Sequence, residues 1–298
     1  MRFQYLGSVL LFWLVLAGSA RAAAPGDTLF PGWAVKASAG LALNQSNFNQ
    51  AWQGDEVGTV SWIGTVSASA DRWLASQIIW KNGLLLQFGQ THQQNATRDA
   101  WLAPLKSSDK ITYRGIVLFK YWGFVDPFVA FDVDSQFYTE IDPMRKWLTP
   151  AQLTESVGIA RYLVSNAHAS VLTRVGFAFR ERIDRFGTFN VTSSDYDSKT
   201  TTEGGFEWYT LSRFAAPEDR TVLTSELRLF EAVDTSEKDP LARQDWSSVD
   251  VDWQNKLSNK LYKWISFDLF WQIFYDKQLD KRGQFKQTLG AGLTWQLI

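Results

Sequence analysis

The 298-residue chain contains no cysteine and only two histidines, His92 and His168. Without cysteine there is no disulfide framework, and thiolate metal sites and cysteine nucleophiles are excluded. Neither sign of charge is in excess, because 30 Lys and Arg residues stand against 31 Asp and Glu residues. This balance gives no electrostatic reason to expect nucleic acid as a partner. We predict no cofactor and no metal ion.

Long hydrophobic runs are also scarce. The most apolar segment lies at the N-terminus, where Arg2 precedes Tyr5–Gly18 and the small-residue site Ala20-Arg21-Ala22 follows. This order is typical of a secretory signal peptide, and the apolar segment is shorter than the ~20 residues that a transmembrane helix needs. We predict a signal peptide over residues 1–22, with an uncleaved anchor helix as the alternative. Residues 23–32 are then a short periplasmic segment.

What the chain does contain is apolar and polar residues alternating with a period of two, which places successive side chains on opposite faces of a β-strand. The segment Ile265–Tyr275 shows this most clearly, with an apolar residue at every second position. Similar segments recur along the chain, and we count twelve. Two are less regular, Leu153–Leu163 and Thr202–Leu211, the first because Glu155 and Arg161 fall in phase with its apolar residues.

The lengths of the connections support a barrel. Short and long connections alternate, as they do in barrels inserted from the periplasm. With a periplasmic N-terminus, this pattern predicts five inner turns, six outer loops and a periplasmic C-terminus. We expect the short connections near residues 70–72, 122–126, 165–167, 212–220 and 258–261, and the long ones near 45–56, 93–109, 139–150, 183–199, 232–247 and 277–284.

Lipid offers no hydrogen-bond partners, so a sheet that crosses a membrane must close on itself. We therefore predict an all-β fold in residues 33–298: a closed antiparallel transmembrane β-barrel of about 12 strands in the outer membrane of a Gram-negative bacterium. A soluble β-sandwich or a lipocalin-like barrel is the alternative, and in those folds the apolar face points inward. The 15 Trp residues suit the aromatic girdles of a membrane barrel. Our candidates for interface aromatics are Trp33, Trp73, Trp122, Trp271, Tyr275 and Trp295.

One segment carries a family resemblance. In Gly40–Glu56 a strand ends in Asn44, a stretch rich in Gln, Ser and Asn follows, and Trp52 and Gly54-Asp55 close the segment. This segment resembles the N-terminal motif of an uncharacterised family of bacterial outer-membrane β-barrels, and the region Phe131–Phe137 is also similar. The resemblance implies an outer-membrane location and no known activity or functional residues. The expected partners are outer-membrane lipid, lipopolysaccharide and the barrel assembly machinery, although the terminal Ile298 is out of phase with the aromatic end that this machinery reads.

Charges of both signs lie on the polar face of the predicted strands. In a barrel of this size, opposed charges either fill a narrow lumen or line a selective channel. We predict a narrow channel or porin for small polar solutes, with a non-conducting barrel that binds a ligand or lipid, or has a structural role, as the alternative. The candidates for lining the lumen are Lys36, Lys81, Arg114, Lys120, Asp132, Asp134, Arg174, Arg180, Glu207, Glu226, Arg228 and Asp268.

An outer-membrane lipid hydrolase is a more distant alternative. His168 and Ser170 lie two residues apart on one strand face and resemble the His-x-Ser pair of lipid A deacylases. The predicted topology places His168 at an inner turn, far from the outer leaflet that contains lipid A. His92 begins an outer loop, and no motif connects a serine to it. We predict no catalytic residues and no enzymatic activity.

Overall fold

The computed structural model describes residues 32–46, 57–97, 99–121, 123–141, 144–190, 195–237, 246, 248–278 and 280–297. The predicted signal peptide, nearly all of the segment 23–32, and Trp122 lie outside the described residues. In the described part of the chain, no helix is both long and apolar enough to span a membrane.

Twelve β-strands form one closed barrel, and every pair of neighbours in it is antiparallel. The prediction of an all-β, closed, twelve-stranded antiparallel barrel is confirmed. The barrel strands are β1 (Ala34–Ser46), β2 (Thr59–Ala75), β3 (Ile78–Gln93), β4 (Leu105–Phe119), β5 (Asp126–Ser135), β8 (Ala151–Ser165), β9 (Ala169–Asn190), β10 (Asp195–Ala215), β11 (Thr221–Thr235), β12 (Asp250–Lys260), β13 (Ile265–Tyr275) and β14 (Gln284–Gln296). Two shorter strands, β6 (Tyr138–Ile141) and β7 (Met144–Trp147), form a separate hairpin between β5 and β8.

Successive connections lie at opposite ends of the barrel. One end of the barrel, here called the turn end, has the connections 76–77, 120–125, 166–168, 216–220 and 261–264. The other, the loop end, has 47–58, 94–104, 136–150, 191–194, 236–249 and 276–283. Which end faces the periplasm stays a prediction.

Two connections differ from the prediction. The first turn lies at Ser76-Gln77 and not at 70–72, because β2 continues past Asp71 and Arg72. Both residues are stabilised within the sheet: Asp71 lies 3.4 Å from the amine of Lys81, and the guanidinium of Arg72 stacks 5.6 Å from the ring of Trp33. The predicted loop 183–199 is almost entirely strand, since β9 and β10 continue to residues 190 and 195 and leave only 191–194 as the connection.

The ring closes at a short seam between β1 and β14. Five residue pairs form this seam, from Ser38 with Gln296 to Ala42 with Gly292. On its other side, β1 pairs with β2 along all thirteen of its residues. The pairing between β1 and β14 therefore ends at Ala42 and does not extend to the loop end of β1.

The hairpin β6–β7 was not predicted, and it is fastened to the rim of the barrel at the loop end. The carboxylate of Asp109 accepts backbone hydrogen bonds from Phe137 (2.6 Å) and Tyr138 (3.2 Å), and Lys106 donates to the same carboxylate at 2.8 Å. Phe88 packs against Phe137 with ring centroids 5.8 Å apart. We call residues 136–150 the rim hairpin.

Replacing Asp109 with alanine is expected to release the rim hairpin. The change removes three hydrogen bonds to a charged group, each contributing about 1.5–3 kcal/mol. Trypsin cleavage after Lys146, whose side chain is buried, should accelerate by at least tenfold. Limited proteolysis followed by mass spectrometry measures this rate. Asp99→Ala, in an exposed loop, is the control, and an equal rate in both variants would contradict the assignment of Asp109 as the fastening residue.

The two faces of the wall differ in the way that the alternation predicts. Large apolar side chains are exposed around the outside, among them Val157 (56%), Phe206 (58%) and Val129 (52%). Side chains one residue away in sequence are buried inside, such as Phe128 (1%) and Glu207 (2%). A soluble barrel has the opposite arrangement, with its apolar face inward.

Candidate functional site: the charged lumen

Ion pairs between distant strands cross the interior of the barrel. The Nε of Arg114 on β4 lies 3.2 Å from the Oε1 of Glu226 on β11, although four strands separate β4 from β11 along the wall. Arg228 on β11 donates to Asp132 on β5 at 2.6 Å. Such contacts are made only through the lumen, so these side chains face inward.

The centre of this arrangement is a buried cluster of two acidic and two basic residues. Asp132 Oδ2 accepts hydrogen bonds from Arg174 and Arg228, both at 2.6 Å. Glu207 lies 3.4 Å from Arg174 and 3.1 Å from Arg228. The carboxylate side chains are 1% exposed and the two guanidinium side chains 4% and 7%. We call these four residues, with Tyr209 stacked 4.3 Å from the guanidinium of Arg174, the central cluster.

The edge of the central cluster is more accessible. Arg114 bridges Asp134 at 2.8 Å and Glu226 at 3.2 Å, and these three side chains are 17%, 31% and 23% exposed. Water therefore reaches the Arg114 side of the cluster and not its centre. In a low-dielectric interior, charges at such an edge act strongly on any charged group that reaches them.

The remaining lumen candidates lie in smaller groups. Lys120 bridges Asp126 at 2.5 Å, and the amines of Lys81 and Lys120 lie 5.6 and 4.9 Å from the ring of Tyr162. Arg180 bridges Asp250 at 2.8 Å on the loop-end side of the central cluster. Asp268 accepts from Ser258 at 2.5 Å. Lys36 is exposed at the start of β1.

An apolar cluster lies in the turn-end half of the lumen, on the same side as the central cluster. Ile79, Leu118, Phe128 and Leu172 are its largest buried members, and Trp73 packs against them. Trp73 therefore does not join an aromatic girdle on the outer face: β2 runs past Arg72, and its pair partner in β3 is the buried Ile79. Trp33 and Trp295 lie in the wall near the turn end, and Trp271 and Tyr275 lie in β13.

The opposite wall of the lumen is lined by small side chains. Strands β14, β1 and β2 present Gly290, Gly40 and Ser67 in phase with Lys36 and Asp71, and these positions are partly accessible. Gly83 on β3 adjoins this wall and pairs with Arg114, and a Cβ added there would meet no atom within 4 Å. Open space thus runs beside the Arg114 edge of the central cluster.

A cavity of about 330 Å³ lies between the central cluster and the loop end, and we call it the vestibule. Five acidic and five basic residues line it, so its charges balance. Asp252 accepts hydrogen bonds from Gln254 and Gln272, both at 2.6 Å, and Lys110 donates to Gln254. The charged residues of the lining are Asp109, Lys110, Asp134, Arg180, Arg182, Arg228, Asp250, Asp252, Asp276 and Lys286.

Several of these residues were absent from the candidate set. Lys110, Asp250 and Asp252 lie on the polar face of their segments, so the alternation could have identified them. Tyr209 could not have been identified in this way, because its strand was one of the two irregular segments. Its position on the Arg174 guanidinium depends on which strands meet across the lumen.

The two histidines are placed in ordinary structural positions. His168 lies in the turn 166–168, where Asn166 Oδ1 accepts the backbone N–H of His168 (2.9 Å) and of Ala169 (2.7 Å). His92 is the second-last residue of β3 and pairs with Val60. Among the described residues, no group of three or more His, Cys, Asp or Glu side chains is arranged to hold a metal ion.

Comparison with known proteins gives one family match and three solved β-barrel structures. The family described as "Protein of unknown function (DUF3078)" matches residues 43–140, which confirms the resemblance to an uncharacterised family over that range. No curated protein matches the sequence.

Three solved barrels are similar in fold. The COG4313 outer membrane channel from Pseudomonas putida F1 is 9% identical, with a TM-score of 0.41 over 94% of this chain and 98% of that chain. The translocator domain of the autotransporter NalP from Neisseria meningitidis is 9% identical, with a TM-score of 0.34 over 90% and 89%. The beta domain of the Bordetella autotransporter BrkA is 14% identical, with a TM-score of 0.31 over 88% and 98%. At these values the likeness carries no functional information.

Proposed function

We propose that this protein is an outer-membrane β-barrel that forms a narrow channel for small polar solutes. The observation that carries the proposal is the uneven filling of the lumen: the central cluster is buried on one side, whereas accessible small residues and Gly83 lie opposite it. A solute would enter the vestibule, pass the Arg114–Glu226 pair and follow the small-residue wall to the turn end. Its size is limited by the remaining width, and its charge by Arg114, Asp134 and Glu226.

The outer face supports placement in a membrane. Beyond its exposed apolar side chains, it has a row at the turn end formed by Trp33, just before β1, Arg72 on β2 and Trp80 on β3. The rings of Trp33 and Trp80 are 5.4 Å apart. Such residues are typical of the membrane–water interface, where the rings lie at the headgroups and arginine meets phosphate. The mixed-charge interior together with this exterior is the pattern of an outer-membrane barrel.

Conductance of the purified full chain in planar bilayers tests the channel. We expect small, ohmic single-channel steps in KCl. A complete absence of channel events across salts and voltages would exclude the channel and leave the non-conducting barrel, whose ligand would occupy the vestibule.

Charge removal at the edge of the central cluster should shift ion selectivity in opposite directions. Glu226→Gln removes a negative charge from the passage and should raise the Cl⁻/K⁺ permeability ratio about two- to fivefold, whereas Arg114→Gln should lower it by a similar factor. Reversal potentials in a KCl gradient measure both ratios. Glu231→Gln, on the outer face of the same strand, is the matched control and should leave selectivity unchanged. A shift of the same sign in both lumen variants would contradict this path.

Absence of enzymatic activity belongs to the same proposal. His92→Ala and His168→Ala should leave any phospholipase or deacylase signal of purified protein unchanged. A loss of such a signal in either variant, with the barrel still folded, would instead support a lipid hydrolase.

A further inference from the structure

The charges that line the vestibule balance, and most of them already have partners. Arg180 pairs with Asp250 at 2.8 Å. Lys110 donates to the amide oxygen of Gln254, whose nitrogen donates in turn to Asp252 at 2.6 Å. A ligand with a full charge would leave one charge too many in this lining, whereas a neutral ligand leaves these pairs intact.

Three glutamines in the same lining have hydrogen-bonding groups to spare. Gln272 donates to Asp252 at 2.6 Å, but its carbonyl oxygen accepts no hydrogen bond from the described residues. The side chains of Gln87 on β3 and Gln152 on β8 are half-buried and have no hydrogen-bond partner in the described part of the chain. Each carboxylate oxygen of Asp252 accepts one amide and has a second lone pair. The vestibule thus offers donors and acceptors of the kind that hydroxyl groups pair with.

Two phenylalanine rings face this polar cavity. Phe270 and Phe274 on β13 are in phase with Gln272 and line the vestibule. Both are half-buried, and among the described residues neither ring packs against another ring or a cation. At ~3.4 Å per residue they lie about 14 Å apart along the strand. Phe274 pairs across the ladder with Asp252, so an aromatic ring and a carboxylate with free lone pairs lie side by side.

We propose that the vestibule binds a neutral sugar in its ring form, and that such sugars are solutes of the proposed channel. One face of a pyranose ring presents C–H groups, and packing this face on Phe274 removes apolar surface of both from water. Hydroxyl groups at the edge of the sugar donate to Asp252 and bond with the amide of Gln272.

The size of the cavity agrees with this ligand. A volume of about 330 Å³ lies at the lower end of the roughly 300–1,000 Å³ of small-molecule sites, so it suits a ligand of the size of a monosaccharide. A solute that enters from the loop end meets Phe274 first and Phe270 next. The assignment of sugars as solutes rests on the proposed channel, whereas the binding site itself does not.

Saturation-transfer NMR on methyl β-D-glucoside tests the site, with the full chain folded in perdeuterated dodecylphosphocholine micelles. We expect saturation to pass most strongly to the axial ring protons of the sugar, because these lie on the face that packs on Phe274. Mannitol, an open-chain polyol, and glycine, a zwitterion, should each receive at least fivefold less. Transfer to mannitol or to glycine that equals the transfer to the glucoside would overturn the assignment to a sugar ring, and no transfer to the glucoside would remove the site.

A variant and its matched control assign the effect to one ring. Phe274→Leu keeps an apolar side chain and removes the aromatic face, so it should lower the saturation transfer at least threefold. Phe267→Leu makes the same change on the outer face of the same strand, where the ring is 38% exposed, and should leave the transfer unchanged. Heat-modifiable mobility on a gel confirms folding. Unchanged transfer in folded Phe274→Leu, or an equal loss in Phe267→Leu, would overturn the proposal.

A second variant decides the matter if Phe274→Leu does not fold. Gln152→Ala removes a side chain that has no hydrogen-bond partner among the described residues, so the barrel loses no polar contact there. This variant should lower the saturation transfer at least twofold. Transfer equal to that of the unaltered protein would count against the sugar site as strongly as the result for Phe274.

The channel and the sugar site fail independently. In planar bilayers the glucoside should reduce the ion current saturably, beyond the change in conductivity that mannitol produces. Ion current without saturation transfer would remove the site and leave the channel, and saturation transfer in a barrel that carries no current would do the reverse. A glucoside that binds and leaves the ion current unchanged would overturn the assignment of sugars as solutes.

Discussion

Asp132→Ala is expected to lower the free energy of unfolding by about 3–5 kcal/mol. The change leaves the guanidinium groups of Arg174 and Arg228 buried with Glu207 between them, and with Asp134 3.5 Å from Arg228 alone. Buried ion pairs add little net stability over apolar packing, but removing one partner leaves a charge that neither water nor protein compensates. Urea titration of the barrel in lipid vesicles, followed by tryptophan fluorescence, measures the loss.

Asp71→Ala is the matched control for this experiment. Asp71 also faces the lumen and also pairs with a cation, Lys81, but its side chain is 35% exposed. An accessible pair contributes about 0–1 kcal/mol, so this variant should unfold close to the unaltered protein. Equal destabilisation by the two substitutions would show that the central cluster is not a dry site.

Gly83→Trp is expected to reduce single-channel conductance at least tenfold. Gly83 lies beside Arg114 on the open side of the lumen, and an indole there projects into space that the proposed solute path uses. A Cβ at this position meets no atom within 4 Å, so the new side chain has room where it leaves the backbone. Planar-bilayer recording measures the conductance, and the heat-modifiable mobility of the barrel on a gel confirms folding.

Val66→Trp introduces the same ring on the outer face of the barrel wall instead of the lumen face. Val66 lies on β2 with its side chain on the outer face, 40% exposed. This variant should conduct like the unaltered protein. If folded Gly83→Trp also conducts normally, the path does not run along the small-residue wall, and the central cluster must be reconsidered as the place where solutes pass.

Much of the fold follows from the period-two pattern, because a barrel wall with an apolar outer face and a polar inner face demands it at nearly every residue. The segment Ile265–Tyr275, for example, forms strand β13 with the predicted bounds. The alternation also assigns each charged residue to a face. The irregular segment Leu153–Leu163 became strand β8 as well, with Glu155 pairing with Phe131 and Phe179, because closing the ring requires a strand there whatever its pattern.

What the pattern could not supply was set by contacts between distant parts of the chain. The turn at Ser76-Gln77 depends on Asp71 meeting Lys81 and on Arg72 meeting Trp33, and neither contact is visible in one strand alone. The rim hairpin depends in the same way on Asp109, some 28 residues before the backbone that it holds.

The candidate site shows the same division. The inward-facing charges were predictable one strand at a time, but their partners were not. Arg114 and Glu226 are 112 residues apart, and they meet only because the ring closes with a particular stagger. The seam was equally invisible, since β1 and β14 both alternate regularly up to the point where their pairing ends.

The 22 and 21 residues of β9 and β10 give the mouth of the barrel an oblique rim. At about 2.5 Å of height per residue, this hairpin rises roughly 50 Å, twice the thickness of the apolar band. It stands nearly opposite β1 and β14 in the ring, and those strands have only 13 residues each. Among the described residues, the wall on the loop side is therefore tall at β9 and β10 and low at β1 and β14. A large molecule that approaches this wall from the loop side reaches the ends of β9 and β10 before those of β1 and β14.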